Sequence, residues 1–195
     1  MVLTSVADIV DLMNERGHKS YGERVTALQH AVQCAMFAER DGADETLVVA
    51  TFLHDIGHLV ADVQGGERFD LEVDDDDHEA VGGRLLAPLF GPSVAQPVAL
   101  HVTAKRWRCA TDPSYHAGLS DVSRATLKAQ GGPLDADACR RFEAHPGFER
   151  AVALRNWDEE GKIADFDGVG LDYFVPLMER LATQHASYRG SSETN

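Results

Sequence analysis

The chain has 195 residues, is 44% hydrophobic and carries 32 acidic against 18 basic side chains, for a formal charge of −14. That size suits one domain around one good core, and the acidity opposes general nucleic-acid binding, which needs clustered Lys and Arg, but leaves room for a small anion held by a few local cations. Three cysteines without a CxxC spacing (Cys34, Cys109, Cys139), an acidic first amphipathic stretch unlike a signal peptide and no bilayer-length apolar run read as a cytoplasmic protein with no membrane partner.

In chain order, Thr4 or Ser5 caps a first helix with the stripe Val6, Ile9, Val10 and Met13, ending at Gly17. A polar connector over residues 18–22 leads to a second helix that buries Val25, Leu28, Val32, Ala35 and Met36, places His30 beside that stripe and stops at Gly42. Asp44 caps a third helix, an apolar run whose last turn delivers His54 inward, with Asp55 beside it. From Leu59 to Asp77 the periodicity is lost, and Gly65-Gly66 and the acidic run at 74–77 read as a surface loop near the site mouth. His78 opens a helix with Val81, Leu85, Leu86 and Leu89, closed by Gly91.

Pro92-Ser93 starts the next helix, in which Val94, Val98, His101 and Lys105 share one face. By spacing alone Lys105 reads as a lysine snorkelling to solvent. Residues 107–118 read as loop. Ser120-Asp121 begins a helix ended by Gln130-Gly131-Gly132-Pro133, and Asp135 caps another that runs to His145. The following helix carries Arg155 and Asp158 at i and i+3, the spacing of a surface ion pair or of two groups on one inner face. A last helix, roughly residues 171–187, buries Phe174, Leu177, Met178 and Leu181 before a frayed tail after Tyr188. The fold class is all-α, a multi-helix bundle of one domain over residues 1–195.

Adjacent His54 and Asp55 cannot easily grip one small ion, but Asp55 can bridge two with its two oxygens. His30, His54 and Asp158 would complete one ion's ligands, and His78 and His101 the other's, as bundle cores build such sites from facing helices. Imidazole with carboxylate accepts Fe, Mn, Co, Ni or Zn. A metal pair about 3.5–4 Å apart would hydrolyse with activated water, whereas iron would open oxygen chemistry. The residues alone leave both routes open.

The order His30, His54-Asp55, His78, His101, Asp158 resembles the HD-domain superfamily of helical, mostly phosphohydrolytic proteins. Further stretches narrow the resemblance: Leu28-Gln29-His30-Ala31, Phe52-Leu53-His54-Asp55-Ile56-Gly57-His58, His101-Val102-Thr103-Ala104-Lys105-Arg106, Leu119-Ser120-Asp121-Val122-Ser123-Arg124, Gln130-Gly131-Gly132-Pro133 and Arg155-Asn156-Trp157-Asp158-Glu159. Together, over roughly residues 22–162, they are similar to PhnZ-type phosphonate-degrading enzymes, mixed-valent diiron oxygenases related to myo-inositol oxygenase.

The resemblance implies two iron ions, Fe(II)/Fe(III), O2 as co-substrate, and cleavage of the C–P bond of a 1-hydroxyphosphonate bearing a 2-amino or 2-trimethylammonio group. The products are phosphate and glycine or glycine betaine. It implies that Lys105, Ser123 and Arg155 hold the phosphonate, with His58 and Gln130 as helpers. A metal-dependent phosphohydrolase of the same superfamily is the alternative. Glu23 would attract the ammonium. Relatives acting on the primary amine have Tyr-x-Gly-Glu here, whereas this chain has Ser20 at the tyrosine position and Tyr21 one residue later. A trimethylammonium offers no N–H and favours aromatic faces. Tyr21, Trp107 and Tyr115 are candidates for that face, and the expectation leans to the trimethylammonio substrate.

Overall fold

Several helix starts among the described residues are set by side chains that accept the first free backbone N–H groups. Ser5 and Thr26 do so in reciprocal capping boxes with Asp8 and Gln29, opening α1 (Val6–Arg16) and α2 (Ala27–Arg40). Asp44 caps α3 (Glu45–Phe52), Ser120 caps α8 (Asp121–Ala129) and Asp135 caps α9 (Ala136–Glu143). The computed structural model describes residues 3–19, 25–65 and 77–192. The remaining helices are α4 (Ile56–Gly65), α5 (His78–Phe90), α6 (Pro92–Thr111), α7 (Pro113–Gly118), α10 (Phe148–Glu160) and α11 (Val175–Ser192). The all-α expectation holds, and no helix among the described residues is long and apolar enough to cross a membrane.

The centre of the bundle is α6, which packs along α5 and is crossed by α3 and α10, while α2 lies against α3 and α10. Ile9, Phe52, Leu53, Ile56, Leu86, Leu154, Phe174 and Met178 are fully buried in one shared core. Phe52 and Phe174 stack at 4.5 Å. Burying each such side chain contributes roughly 1.5–3 kcal/mol. Cys34, Cys109 and Cys139 are unpaired and buried.

Several boundaries differ from the sequence reading. Helix α3 stops at Phe52 with Leu53 as its cap, so His54 and Asp55 stand in a tight turn and not in the last helical turn. The periodicity expected to fail at Leu59 instead continues as α4 to Gly65. Residues 20–24 and 66–76, with most of the acidic run, lie outside the described residues. Residues 107–111 and 113–118 are helical and not loop. The Trp107 ring meets Phe148 at 4.9 Å and Phe142 at 6.4 Å, which carries α6 on to Thr111. Asp112 then accepts from the N–H groups of Ser114 and Tyr115 to start α7. At the C-terminal end a 3-10 turn (Leu171–Tyr173) precedes α11, which continues past Tyr188 to Ser192.

Gly57 explains how the two halves of the centre meet. A Cβ there would collide with the backbone carbonyl of His78, so only glycine lets the start of α4 lie directly on the start of α5. That close approach brings Asp55 within reach of His78.

Candidate active site

Helices α2, α5, α6 and α10 and the His54-Asp55 turn bring six side chains to one point. His30, His54, His78, His101 and Asp158 are all buried, and Asp55 is nearly so. They fall into two sets about Asp55. Its Oδ2 lies 3.2 Å from His54 Nε2 and 3.7 Å from His30 Nε2. Asp158 Oδ1 completes this set at 3.4 Å from His30 and 3.7 Å from His54. Asp55 Oδ1 faces the other pair, 3.5 Å from His78 Nε2 and 3.6 Å from His101 Nε2.

The histidine tautomers follow from their outer neighbours. His30 Nδ1 lies 2.8 Å from the Gly161 carbonyl, His54 Nδ1 2.7 Å from that of Thr51, and His101 Nδ1 2.7 Å from that of Val98. A carbonyl only accepts, so each Nδ1 carries the proton and each neutral Nε2 turns a lone pair inward. The inward Nε2 atoms confront one another, His30 and His54 at 3.3 Å and His78 and His101 at 3.1 Å. Such pairs repel unless a proton or a cation lies between them. Two imidazole nitrogens on neighbouring corners of one ion, at bonds of about 2.1 Å, stand roughly 3.0–3.4 Å apart. The donor set therefore fits a metal ion in each half.

The electrostatics agree. Burial alone would raise the carboxyls of Asp55 and Asp158, but His54 beside the first and Arg155 beside the second hold both well below the usual range. Burial and the neighbouring His78 keep His101 neutral. Burial also disfavours charge on His54, yet Asp55 and Asp158 take it up to about 10. For His30, burial is opposed by Cys34 and Asp158, and the group likewise reaches about 10. Since burial pushes the Cys34 thiol up and keeps it neutral, Asp158 is the partner that counts. The centre calls for positive charge.

Beside the centre lies a cavity of about 70 Å³ that His30, Asp55, His78, His101 and Asp158 help to line. Its other wall carries His58, Lys105, Ser123, Gln130, Arg155 and Lys162. His58 stacks on His78 with ring centres 3.6 Å apart. Lys105 is buried and does not snorkel; its ammonium donates to Thr126 Oγ1 at 2.7 Å and Gln130 Oε1 at 3.1 Å. The buried Arg155 donates through Nη1 to Asp158 Oδ2, through Nη2 to Glu159, and through Nε to the Tyr115 hydroxyl at 2.7 Å. The pair at i and i+3 is thus an inner one. Lys162 and Thr126 were not legible in the sequence, because their place depends on how neighbouring elements dock.

The expected aromatic faces are not open among the described residues. The Trp107 indole donates to Glu143, in the cluster with Phe142 and Phe148. The Tyr115 ring is covered by the Arg108 guanidinium at 4.0 Å. Tyr21 and Glu23 lie outside the described residues.

Residues 27–141 match the HD domain. This chain belongs to the HD-domain family. Among curated relatives it is 38% identical over 175 residues to a [1-hydroxy-2-(trimethylamino)ethyl]phosphonate dioxygenase (glycine-betaine-forming) of Leisingera caerulea, over 89% of this chain and 88% of the relative. It is 39% identical over 158 residues to a hydroxymethylphosphonate dioxygenase of Gimesia maris, over 81% of this chain and 78% of the relative. An uncharacterized protein of Acanthamoeba polyphaga mimivirus is 31% identical over 189 residues, covering 91% and 81%. The first two relatives place this HD-domain protein in the PhnZ-type branch that the motifs indicated.

Proposed function

We propose that this protein is a dioxygenase that cleaves the carbon–phosphorus bond of a 1-hydroxyphosphonate. The observation that carries the reading is the shared cavity: two sets of inward-facing imidazoles on opposite oxygens of Asp55, and next to them a wall of hydrogen-bond donors suited to a doubly charged phosphonate. His30, His54 and Asp158 would hold one iron and His78 and His101 the other, with Asp55 shared. When bound, a ferrous–ferric pair supplies the redox chemistry with O2. The atoms balance as a 1-hydroxyphosphonate dianion plus O2 giving a carboxylate, hydrogen phosphate and one proton.

The chain's own residues do the positioning. Gln130 spends its carbonyl oxygen on Lys105, so what it has left to offer a phosphonate is its amide N–H groups. Lys105, Ser123 and Arg155 face the phosphonate oxygens, and His58 closes the wall beside His78. The resemblance assigns the substrate's other substituent to Tyr21 and Glu23, which lie outside the described residues. The Leisingera caerulea relative and the one-residue shift that puts Ser20 at the tyrosine position support the trimethylammonio compound, giving glycine betaine. Hydroxymethylphosphonate is the second reading, favoured by the Gimesia maris relative and by the covered Tyr115 and Trp107 rings. A phosphohydrolase would use the same donor wall without consuming oxygen.

Oxygen uptake coupled to phosphate release, measured on iron-loaded protein with both substrates and the primary amine, decides among them. Uptake with the trimethylammonio compound and a higher kcat/KM than for the other two is expected. Phosphate released from an ester without oxygen uptake would replace the oxygenase by the hydrolase.

A pH profile tests Lys105. Burial first, and then the nearby Arg155, pulls its ammonium down to about 7. A lysine with a lowered pKa loses its charge as pH rises through that value, so kcat/KM for the anion is expected to fall above about 7. The kcat limb should lie at higher pH, since bound phosphonate favours the charged lysine. Lys105→Arg stays charged and should lack the kcat/KM limb. The same limb in that variant would assign it to another group.

A further inference from the structure

Just beyond α10 the chain crosses α2 as Gly161-Lys162-Ile163, and α2 grips it at two points one turn apart. His30 Nδ1 donates to the Gly161 carbonyl at 2.8 Å. Gln33, only 1% exposed, pairs with Ile163 in both directions: its amide donates to the Ile163 carbonyl at 3.1 Å and its oxygen accepts from the Ile163 N–H at 2.9 Å. A buried glutamine in a bundle core is costly unless its amide is satisfied, and here the satisfaction goes to one short stretch of backbone. Gly161 allows the approach, since a Cβ there would collide with Cys34 Sγ. Between the two grips Lys162 reaches the cavity wall and donates to Ser123 Oγ at 2.9 Å and to Glu159 Oε1 at 3.3 Å.

We propose that Lys162 is a further substrate-positioning residue, set in place by Gln33, and that it acts on the phosphonate through Ser123. This rests on the phosphonate reading of the cavity. A serine hydroxyl has one hydrogen to give. With a lone pair of Ser123 occupied by the Lys162 ammonium, that hydrogen turns away from Lys162 and is available to a phosphonate oxygen. Lys162 also adds a cation to Lys105 and Arg155 on the same wall. Glu159, touched by both Arg155 and Lys162, holds the two cations apart. Because one α2 turn carries both His30 and Gln33, the anion wall and the metal centre keep a fixed relation.

The test uses iron-loaded wild type, Lys162→Met, Lys162→Arg and Gln33→Leu, with metal content and melting temperature measured on each. Lys162→Met is expected to raise KM for the hydroxyphosphonate about 10- to 100-fold, the range of a lost charge-assisted hydrogen bond, with kcat changed far less. Lys162→Arg should recover most of that loss, and Gln33→Leu should share the KM increase. Inorganic phosphate, titrated calorimetrically into the same proteins, gives a readout independent of turnover and should bind Lys162→Met correspondingly more weakly. A wild type that consumes no oxygen with hydroxyphosphonates but loses phosphate affinity on Lys162→Met would end the oxygenase reading and keep the positioning role. Unchanged KM and unchanged phosphate affinity in Lys162→Met would overturn the inference, as would an Lys162→Arg variant no better than Lys162→Met.

Discussion

Asp55→Ala is expected to purify without either tightly bound metal ion and to show no turnover. The reason is geometric: Oδ2 of Asp55 stands with His30 and His54 while Oδ1 stands with His78 and His101, so one substitution removes a ligand from both sets. It also removes the negative charge that makes four buried imidazoles tolerable in one place. Changing a residue behind a ligand already costs about 10–100-fold in metal affinity, and loss of a shared ligand should exceed that at both positions. His101→Ala takes one imidazole from one set and is expected to keep the ion between His30, His54 and Asp158. Elemental analysis of protein purified without added metal, repeated after iron loading, measures both. Metal binding and folding are linked, so circular dichroism accompanies each count, and Asp55→Asn supplies a variant of nearly the same shape. Two tightly retained ions in a folded Asp55→Ala protein would remove the bridge from the account.

Of the six residues of the centre, His54 at the end of an apolar run and His101 on an apolar face stood out by pattern, whereas Asp158 had the bland reading of a surface ion pair with Arg155 and joined the set through the order of motifs. His101 and Lys105 continue the Val94–Val98 face, and all four are buried. The break at Leu53 was not legible, because an unbroken apolar run from Leu47 gives no stop signal. The clue lay downstream in Gly57, whose meaning needs the His78 backbone lying against it. The start of α7 did carry its own signal, Asp112 followed by Pro113 at the first helical position. It was hidden by the cluster of ring and charged residues around it. Lys162 lies outside every helix, so periodicity had nothing to say of it. Its position comes from Gln33, which sequence alone shows as one more polar residue on α2.

Arg155→Ala is expected to cost both substrate binding and the integrity of the centre, beyond the single phosphonate role that the resemblance implies. Arg155 is 4% exposed and binds Asp158 Oδ2, leaving Asp158 Oδ1 for His30 and His54. It binds Glu159 and the Tyr115 hydroxyl as well. Truncation leaves the buried Asp158 carboxylate without its cation, and removing one partner of such a buried pair destabilises a fold by about 3–5 kcal/mol. The melting temperature should therefore fall, and Asp158, free to rotate, should hold its metal less tightly. Arg155→Lys keeps a charge but not the fork that reaches Asp158, Glu159 and Tyr115 together, so it should restore stability in part and KM poorly. Lys105→Ala is the contrast. It removes a cation whose hydrogen-bond partners among the described residues are Thr126 and Gln130, and should raise KM with metal content near wild type. Metal content, thermal unfolding and KM on the three variants separate the roles. An Arg155→Ala protein with a full metal complement and the wild-type melting temperature, but a raised KM, would confine Arg155 to the substrate.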